Sequence, residues 1–341
     1  MPLLFETCWN SRPMKRLLPD TFTLLLVGAV IVASLLPISG EPARWFGIAT
    51  NVAIALLFFL HGARLSTDVV VAGFLHWRLQ LFILVTTFVV FPVLGLAIGL
   101  LSPWLIEQPL YLGLLFLCVL PSTVQSSIAF TSIAGGNVPA AICAASTSNI
   151  LGILLTPALV AILFSAGGHV GISFDMVWKI MLQLFLPFVA GQILQPLIGN
   201  WIRSKKTLLN PIDRGSILMV VYLAFSQAVT EGIWQRLAVE DLALLLLVDA
   251  LLLATVLAMT SFGGKVLGFN REDRIAAVFC GSKKSLASGV PMAGVIFAGQ
   301  SIGAIVLPLM LFHQIQLMVC AWIARIYADQ SRSLQTESPK V

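Results

Sequence analysis

Apolar runs of about 20 residues recur along almost the whole chain, and a run of that length crosses the hydrocarbon core of a bilayer when it folds as a helix. Strands of a membrane barrel are roughly half as long and alternate apolar with polar residues, so the runs are not typical of a barrel. Hydrophobic residues make up 58% of the 341 residues and charged residues only 10%. The sequence therefore predicts an all-α integral membrane protein that is surrounded by a lipid bilayer.

Basic residues in the linkers between the runs give the chain its net charge of +5. Such linkers are typical of membrane proteins and here do not indicate nucleic-acid binding. The sequence has no Walker loop, no His and Cys spacing of a metal site and no Ser/His/Asp order, so it does not indicate an enzyme, a metal centre or a bound cofactor. Four of the five cysteines lie inside apolar runs and are expected to be small buried hydrophobes: Cys118, Cys143, Cys280 and Cys320.

Ten runs are predicted to be transmembrane helices, between terminal tails at residues 1–17 and 327–341. They cover residues 18–37, 43–62, 79–101, 109–134, 138–165, 177–198, 214–231, 241–262, 275–298 and 302–326. An even number of helices puts both tails on one face of the membrane, and that face has fifteen lysines and arginines against three on the other. Because basic loops are retained in the cytoplasm, both termini are predicted to be cytoplasmic, in an inner or plasma membrane.

Two sets of five predicted helices, residues 18–165 and 177–326, have matching features. The fourth helix of each set is interrupted by a stretch rich in glycine, serine or proline. Because five is odd, the second set enters the membrane from the opposite side. Matching interrupted helices in two inverted repeats point to the binding site of a secondary transporter. The chain is therefore predicted to form two inverted five-helix repeats with a binding site at the two interruptions.

The first interruption begins at Pro121 and has five hydroxyl or amide side chains within the next six positions. In lipid, every backbone group that proline frees needs a partner, so this cluster is expected inside protein or beside a water-filled cavity. Ser126 and Ser127 are candidate ligand-binding residues, and a packing seam of small residues is the alternative. Asn149 in the next helix is a further candidate because its amide needs several partners, although hydrogen bonds between helices would also provide them.

The second interruption contains Lys283 and Lys284 near the middle of an apolar span, where inserting a charge costs roughly 3 kcal/mol. Three interpretations are open. Either lysine snorkels to the membrane surface, or one of them pairs with Asp249 inside the eighth predicted helix. Otherwise at least one faces a cavity, where it attracts an anion, carries a proton or replaces a cation. Under this third interpretation the two lysines and Ser285 are candidate binding residues.

A polar cluster of His313, Gln314 and Gln316 lies inside the last predicted helix. Because histidine titrates near neutral pH, His313 is a candidate proton relay, with Gln314 beside it. A core histidine that is satisfied by hydrogen bonds explains the same pattern.

Three motifs stand out in these regions. They are Gly135-Gly136-Asn137, Cys280-Gly281-Ser282-Lys283-Lys284-Ser285-Leu286, and Leu307-Pro308-Leu309 with Phe312-His313-Gln314-Ile315-Gln316-Leu317. In these motifs, and over nearly its whole length, the chain resembles the bile acid:sodium symporter family, and most closely its branch of sodium/bile acid cotransporter 7-like proteins. The resemblance implies ten helices in a panel and a core domain, with helices 4 and 9 broken and crossing at mid-membrane. It also implies transport of a small organic anion by alternating access.

The chain departs from this family at the sodium sites. Well-studied members have a Ser-Asn pair after the break of helix 4, where this chain reads Ser126-Ser127-Ile128. They also have a glutamate at the break of helix 9, where Phe279 falls here, and a Gly-Met-Gln-Asn-Ser run that residues 281–285 replace with both lysines. Ammonium groups repel sodium strongly at low dielectric, so sodium is not expected to be the coupling ion. We hypothesise that one of the two lysines replaces that cation.

The sequence gives two candidate functions from different classes, although no motif indicates a substrate, a direction of transport or an oligomeric state. The first is a secondary transporter of small or amphipathic organic anions. The alternative is a membrane regulator of ion handling, for example of calcium, that moves no substrate. The alternative predicts that the lysines are locked in a permanent pair and that no water-filled cavity reaches the interruptions.

Overall fold

The computed structural model describes residues 21–64, 76–100, 106–166, 174–230, 232, 239–298 and 302–337. Within these ranges the chain forms twelve helices and no strand. The helices are α1 (Thr21–Leu35), α2 (Gly40–Arg64), α3 (Trp77–Gly99), α4 (Gln108–Val119), α5 (Gln125–Ile133), α6 (Val138–Ala166), α7 (Phe174–Ser204), α8 (Lys206–Thr230), α9 (Val239–Val266), α10 (Arg271–Gly281), α11 (Leu286–Ile296) and α12 (Ile302–Glu337). A π-helical turn, Thr86–Val90, interrupts α3.

Apolar length and apolar surface show that this is a multi-pass membrane protein. In the described part of the chain, seven helices are long and apolar enough to cross a bilayer: α2, α3 and α6 to α9, together with α12. Large apolar side chains are also exposed on outer helix faces, among them Leu24 in α1, Leu197 in α7 and Leu251 in α9. Scattered apolar side chains occur on every protein surface, but many on the outer faces of apolar helices indicate contact with lipid.

The predicted spans agree with the helices closely at most ends, and three helices extend further. Helix α7 ends at Ser204 rather than at 198, α8 starts at Lys206 rather than at 214, and α12 continues to Glu337 rather than ending at 326. Hydropathy finds only the apolar part of a helix, because the part that leaves the hydrocarbon core no longer needs apolar residues. The tail expected at residues 1–17 lies outside the described residues.

The helices pack in two groups. The panel bundle contains α1, α2, α7 and α8, and the core bundle contains α3 to α6 and α9 to α12. Helices α2 and α7 of the panel bundle touch through their backbones, because Gly62 lies against Phe188 and Gly191 against Phe59. Helices α7 and α8 then pack on α6, α11 and α12 of the core bundle, which is where the two bundles meet.

The motif Gly135-Gly136-Asn137 is the turn between α5 and α6, and it fixes that turn onto α10. Gly135 has a φ of 70°, a conformation that favours glycine, and a Cβ on Gly136 would come within 2.5 Å of Ile275. The Asn137 amide donates to the Asp273 carboxylate over 2.7 Å. These contacts hold the end of α5 beside the start of α10.

Both interruptions lie where the sequence predicts them. Residues 120–124 separate α4 from α5, and residues 282–285 separate α10 from α11. The two interruptions touch in the middle of the core bundle, where the Ser285 N–H donates to the Pro121 carbonyl over 2.9 Å.

Candidate functional site

Every backbone carbonyl from residue 117 to residue 122 accepts a hydrogen bond. Leu117 accepts from the Leu120 N–H, Val119 from the Thr156 hydroxyl, Pro121 from the Ser285 N–H, Ser122 from the Asn149 amide, and Cys118 and Leu120 from the Lys284 ammonium. The carbonyls at a helix end lack partners within that helix, and none can be left unpaired in a membrane. Side chains of α6, together with the Lys284 side chain and the Ser285 backbone of the second interruption, therefore satisfy most of the first interruption.

The second interruption is satisfied in the same way. The Cys280 carbonyl accepts from the Ser122 hydroxyl over 2.6 Å. At Lys284, the Gln316 amide accepts from the backbone N–H and donates to the backbone carbonyl, both over 2.9 Å. Ser285 then caps α11, because its hydroxyl accepts from the Ser288 N–H. The two interruptions and α12 form one hydrogen-bonded unit.

The Lys284 ammonium lies in a cage of three backbone carbonyls. It donates to Thr87 and Cys118 over 2.8 Å each and to Leu120 over 2.7 Å, and it lies 4.0 Å from the centre of the Phe91 ring. An ammonium has three N–H donors, so this one is saturated. Its position at the C-terminal end of α4 also places the positive charge at the negative end of the helix dipole.

The Lys283 ammonium lies in aromatic surroundings instead. It is 3.8 Å from the centre of the Phe130 ring and 5.5 Å from that of Phe279, and it has no hydrogen-bond acceptor among the described residues. Both lysines are completely buried. Lys283 is therefore stabilised by cation–π attraction, whereas Lys284 is stabilised by hydrogen bonds to carbonyls.

Asp249 is brought into contact with neither lysine. It is fully buried in α9, and its two carboxylate oxygens lack a hydrogen-bond partner. No ion pair joins it to Lys283 or Lys284, both of which are described residues. The pairing that the sequence left open as an explanation of the lysines is therefore absent.

Two adjoining cavities, of about 400 and 260 Å³, lie between the panel bundle and the two interruptions, and together they form what we term the central cavity. Both are lined by His61, Val124, Gln125, Asn149, Asp213 and Ser288. The larger one has an apolar wall that includes Phe58, Ile150, Ile153 and Phe188. The cavity thus combines apolar surface with hydroxyl, amide and charged groups.

Four of the predicted site residues line the central cavity: Ser126, Asn149, Ser285 and His313. Lys283 and Lys284 do not line it, and neither does Ser127, whose buried hydroxyl donates to the Phe279 carbonyl over 3.0 Å. Gln314 accepts a hydrogen bond from the Thr23 hydroxyl of α1. The predicted residues therefore divide between the cavity wall and the interior of the core bundle.

Panel residues at the cavity were not predicted as site residues. Arg64 at the end of α2 is ion-paired with Asp213 of α8, and the adjacent Arg214 places its guanidinium 5.5 Å from the centre of the Phe22 ring. From the sequence these arginines look like ordinary loop charges. Ser288 could have been found, because it follows Ser285 by three residues, which is the spacing at which an N-cap side chain contacts the helix that it caps.

The groups that line the central cavity determine which ligands fit it. The cavity offers hydroxyl, amide and guanidinium donors, and within the described ranges no three His, Cys, Asp or Glu side chains gather to hold a metal ion. The carboxylate of Asp213 is paired with Arg64, so Arg214 and the hydroxyl and amide groups beside the apolar wall suit a ligand with an apolar body and a negatively charged group.

Comparisons with known proteins agree with this arrangement. Residues 20–329 match the model of the SBF-like CPA transporter family. The chain is 54% identical to an uncharacterised protein of Pseudomonas aeruginosa, over 96% of this chain and 99% of that protein. It is 50% identical to YfeH of Escherichia coli (strain K12), a proposed symporter, over 93% of this chain and 96% of that protein. It is 29% identical to sodium/bile acid cotransporter 7 of Rattus norvegicus, over 90% of this chain and 92% of that protein.

The family resemblance seen in the motifs is thereby confirmed, and the matched region contains every helix that lines the central cavity. The family consists of transporters rather than enzymes. The chain belongs to the SBF-like CPA transporter family.

Proposed function

We propose that the protein is a secondary transporter of small or amphipathic organic anions that works by alternating access. The observation that carries the proposal is that the central cavity lies between two separately packed bundles. Panel residues such as Phe58 and Arg64 form one wall, and core residues such as Gln125 and Ser288 form the other. A cavity between two bundles opens to one side or the other when the bundles rock against each other.

Anion binding is supported by two helix N-termini at the same cavity. Gln125 and Ser126 begin α5, and Leu286 to Ser288 begin α11; all five residues line the smaller part of the cavity. The N-terminus of a helix has unpaired N–H groups and carries a partial positive charge, so it favours an anion. Because two helix N-termini meet at one cavity, both contribute positive potential to the same binding site.

Arg214 supplies a full positive charge at the same place. Its side chain is exposed, and within the described residues it makes no ion pair. The apolar wall of Phe58, Ile153 and Phe188 accepts the rest of the ligand. We therefore propose an anion with an apolar body, a class to which the bile acids that give the rat relative its name also belong.

Ten transmembrane helices in two inverted repeats remain our proposal for the topology. The seven spanning helices, α1, and the two interrupted pairs α4–α5 and α10–α11 support that number. The repeats would cover residues 18–165 and 177–326. With ten helices both termini are on one side, which we propose is the cytoplasmic side of an inner or plasma membrane, because most of the basic residues lie there.

We further propose that transport does not depend on sodium. One of the two buried ammonium groups in the second interruption, that of Lys284, already fills a cage of three carbonyls. The competing proposal of a regulator without a substrate receives less support, because it predicts no cavity at the interruptions, whereas Ser126 and Ser285 line one.

Ligand-induced stabilisation tests the proposed function. A ligand that binds only the folded protein raises its Tm by mass action, so the purified protein is heated with a set of apolar carboxylates and sulfonates. We expect at least one to raise the Tm, equally in sodium and in choline chloride. The increase should be lost in Arg214→Gln and kept in Arg78→Gln, whose guanidinium donates to the Leu267 carbonyl outside the cavity. The proposal is wrong if no anion stabilises the protein or if the two variants respond alike.

A further inference from the structure

Three backbone carbonyls converge on one point inside the core bundle, and this geometry does not depend on what the protein transports. They belong to Thr87 in α3, to Cys118 at the end of α4, and to Leu120 in the first interruption. Carbonyl cages of this kind replace the hydration shell of a monovalent cation in proteins that bind or conduct one. In this chain the point is occupied by the Lys284 ammonium.

The Thr87 carbonyl is available because of the π-helical turn. In a regular helix it would accept from the Phe91 N–H, but that group donates to Thr86 instead. The next N–H along the π-helical pattern would be that of residue 92, which is a proline and has none. The turn and the proline together leave one carbonyl of α3 without a backbone partner.

The other two carbonyls are available because α4 stops there. The Cys118 carbonyl would accept from the Ser122 N–H if the helix continued, but that group donates to the Ser148 hydroxyl over 3.0 Å. The Leu120 residue is already extended, with a ψ of 154°. The cage is therefore formed by the backbone, and the lysine side chain only occupies it.

We propose that these three carbonyls form a monovalent-cation site whose resident cation is the ammonium of Lys284, and that the site binds free potassium or ammonium once that side chain is shortened. Ammonium and potassium ions are similar in size, and sodium is smaller. A cage that fits ammonium should therefore prefer potassium to sodium. The Phe91 ring face, 4.0 Å from the ammonium, adds attraction for any cation in this place.

A cation that is part of a side chain does not exchange with ions in solution. While Lys284 occupies the cage, a gradient of alkali ions therefore cannot act through this site. The carbonyl cage holds an ion and not the transported ligand, so its cation preference does not depend on whether the protein transports an anion.

The experiment measures the Tm of detergent-purified Lys284→Ala in choline, sodium, potassium and ammonium chloride at equal ionic strength. Purification is carried out in potassium throughout, and no anionic ligand is added. We expect a low Tm in choline and a saturable increase, on the order of a few degrees, in potassium and ammonium, with a smaller one in sodium. The wild type should show no such preference.

Lys283→Ala is the matched control, because it removes a neighbouring and equally buried ammonium that contacts rings rather than carbonyls. It should show no selective response to potassium or ammonium. The inference is overturned if both variants respond alike, or if Lys284→Ala responds to none of the cations. It is also overturned if Lys284→Ala cannot be recovered folded in any of the salts while Lys283→Ala can.

Discussion

Lys283 and Lys284 are adjacent in the chain, but their ammonium groups lie in different surroundings. One ammonium faces the rings of Phe130 and Phe279, and the other is enclosed by backbone carbonyls of α3 and α4. Both are completely buried, so depth and burial do not separate them. The difference lies in what the surrounding backbone needs: only the second lysine completes hydrogen bonds that the fold has left open.

This contrast explains why a lysine is tolerated at such a depth. A buried charge that satisfies three acceptors is part of the hydrogen-bonded structure, and removing it leaves those acceptors unpaired. A buried charge without acceptors is held by weaker attraction, and an apolar side chain of similar size can take its place.

The largest expected effect is therefore that of Lys284→Met compared with Lys283→Met. The first should lower the free energy of unfolding by about 3 kcal/mol or more, because three buried carbonyls lose their donor and each unsatisfied group costs about 1–3 kcal/mol. The second should stay within about 1 kcal/mol of the wild type or be slightly more stable. Denaturant titration of both variants in the same detergent measures the difference. Equal losses would show that the carbonyl cage has no special role.

A smaller effect is expected at Gln316, which holds the backbone of Lys284 rather than its ammonium. Gln316→Leu removes a buried side chain that both donates to and accepts from that residue, so the loss should be about 2–3 kcal/mol. Gln314→Leu is the control, because Gln314 accepts only a half-buried hydrogen bond from the Thr23 hydroxyl. Its loss should lower the free energy of unfolding by about 1 kcal/mol. Thermal unfolding of the two variants ranks them, and the reverse order would contradict the importance of the second interruption.

Much of this architecture was predictable from local sequence. Helix positions follow from the length of the apolar runs. The two interruptions follow from Pro121, which breaks a helix, and from the polar stretch around the lysines, which destabilises a helix in a membrane. Asn149 was predictable as a site residue for a similar reason, since an amide in an apolar span must meet partners, and it meets Ser122 and Ser288.

The rest depends on contacts between distant parts of the chain. Arg64 and Arg214 reach the cavity because α2 and α8 pack together, and nothing near either residue in the sequence shows this. The carbonyl of Thr87 is available because of a π-helical turn, for which Pro92 is only a weak local sign. Which lysine enters the cage could therefore not be decided from the sequence.

The smallest effect on stability, but a clear one on reactivity, is expected for two adjacent serines that repeat the contrast between the lysines. Ser126 lines the central cavity, whereas Ser127 is completely buried and donates to the Phe279 carbonyl. Ser126→Cys should therefore react with a small, charged thiol reagent in the folded protein, and Ser127→Cys should not. The natural Cys118 and Cys280 are fully buried and should stay unmodified, so mass spectrometry of the labelled protein needs no cysteine-free background for these positions. An anion that fills the cavity should also slow the labelling of Ser126→Cys. If Ser127→Cys reacts as fast as its neighbour, the first interruption opens far enough to expose its buried side, and the division between the central cavity and the buried interior of the core bundle is wrong.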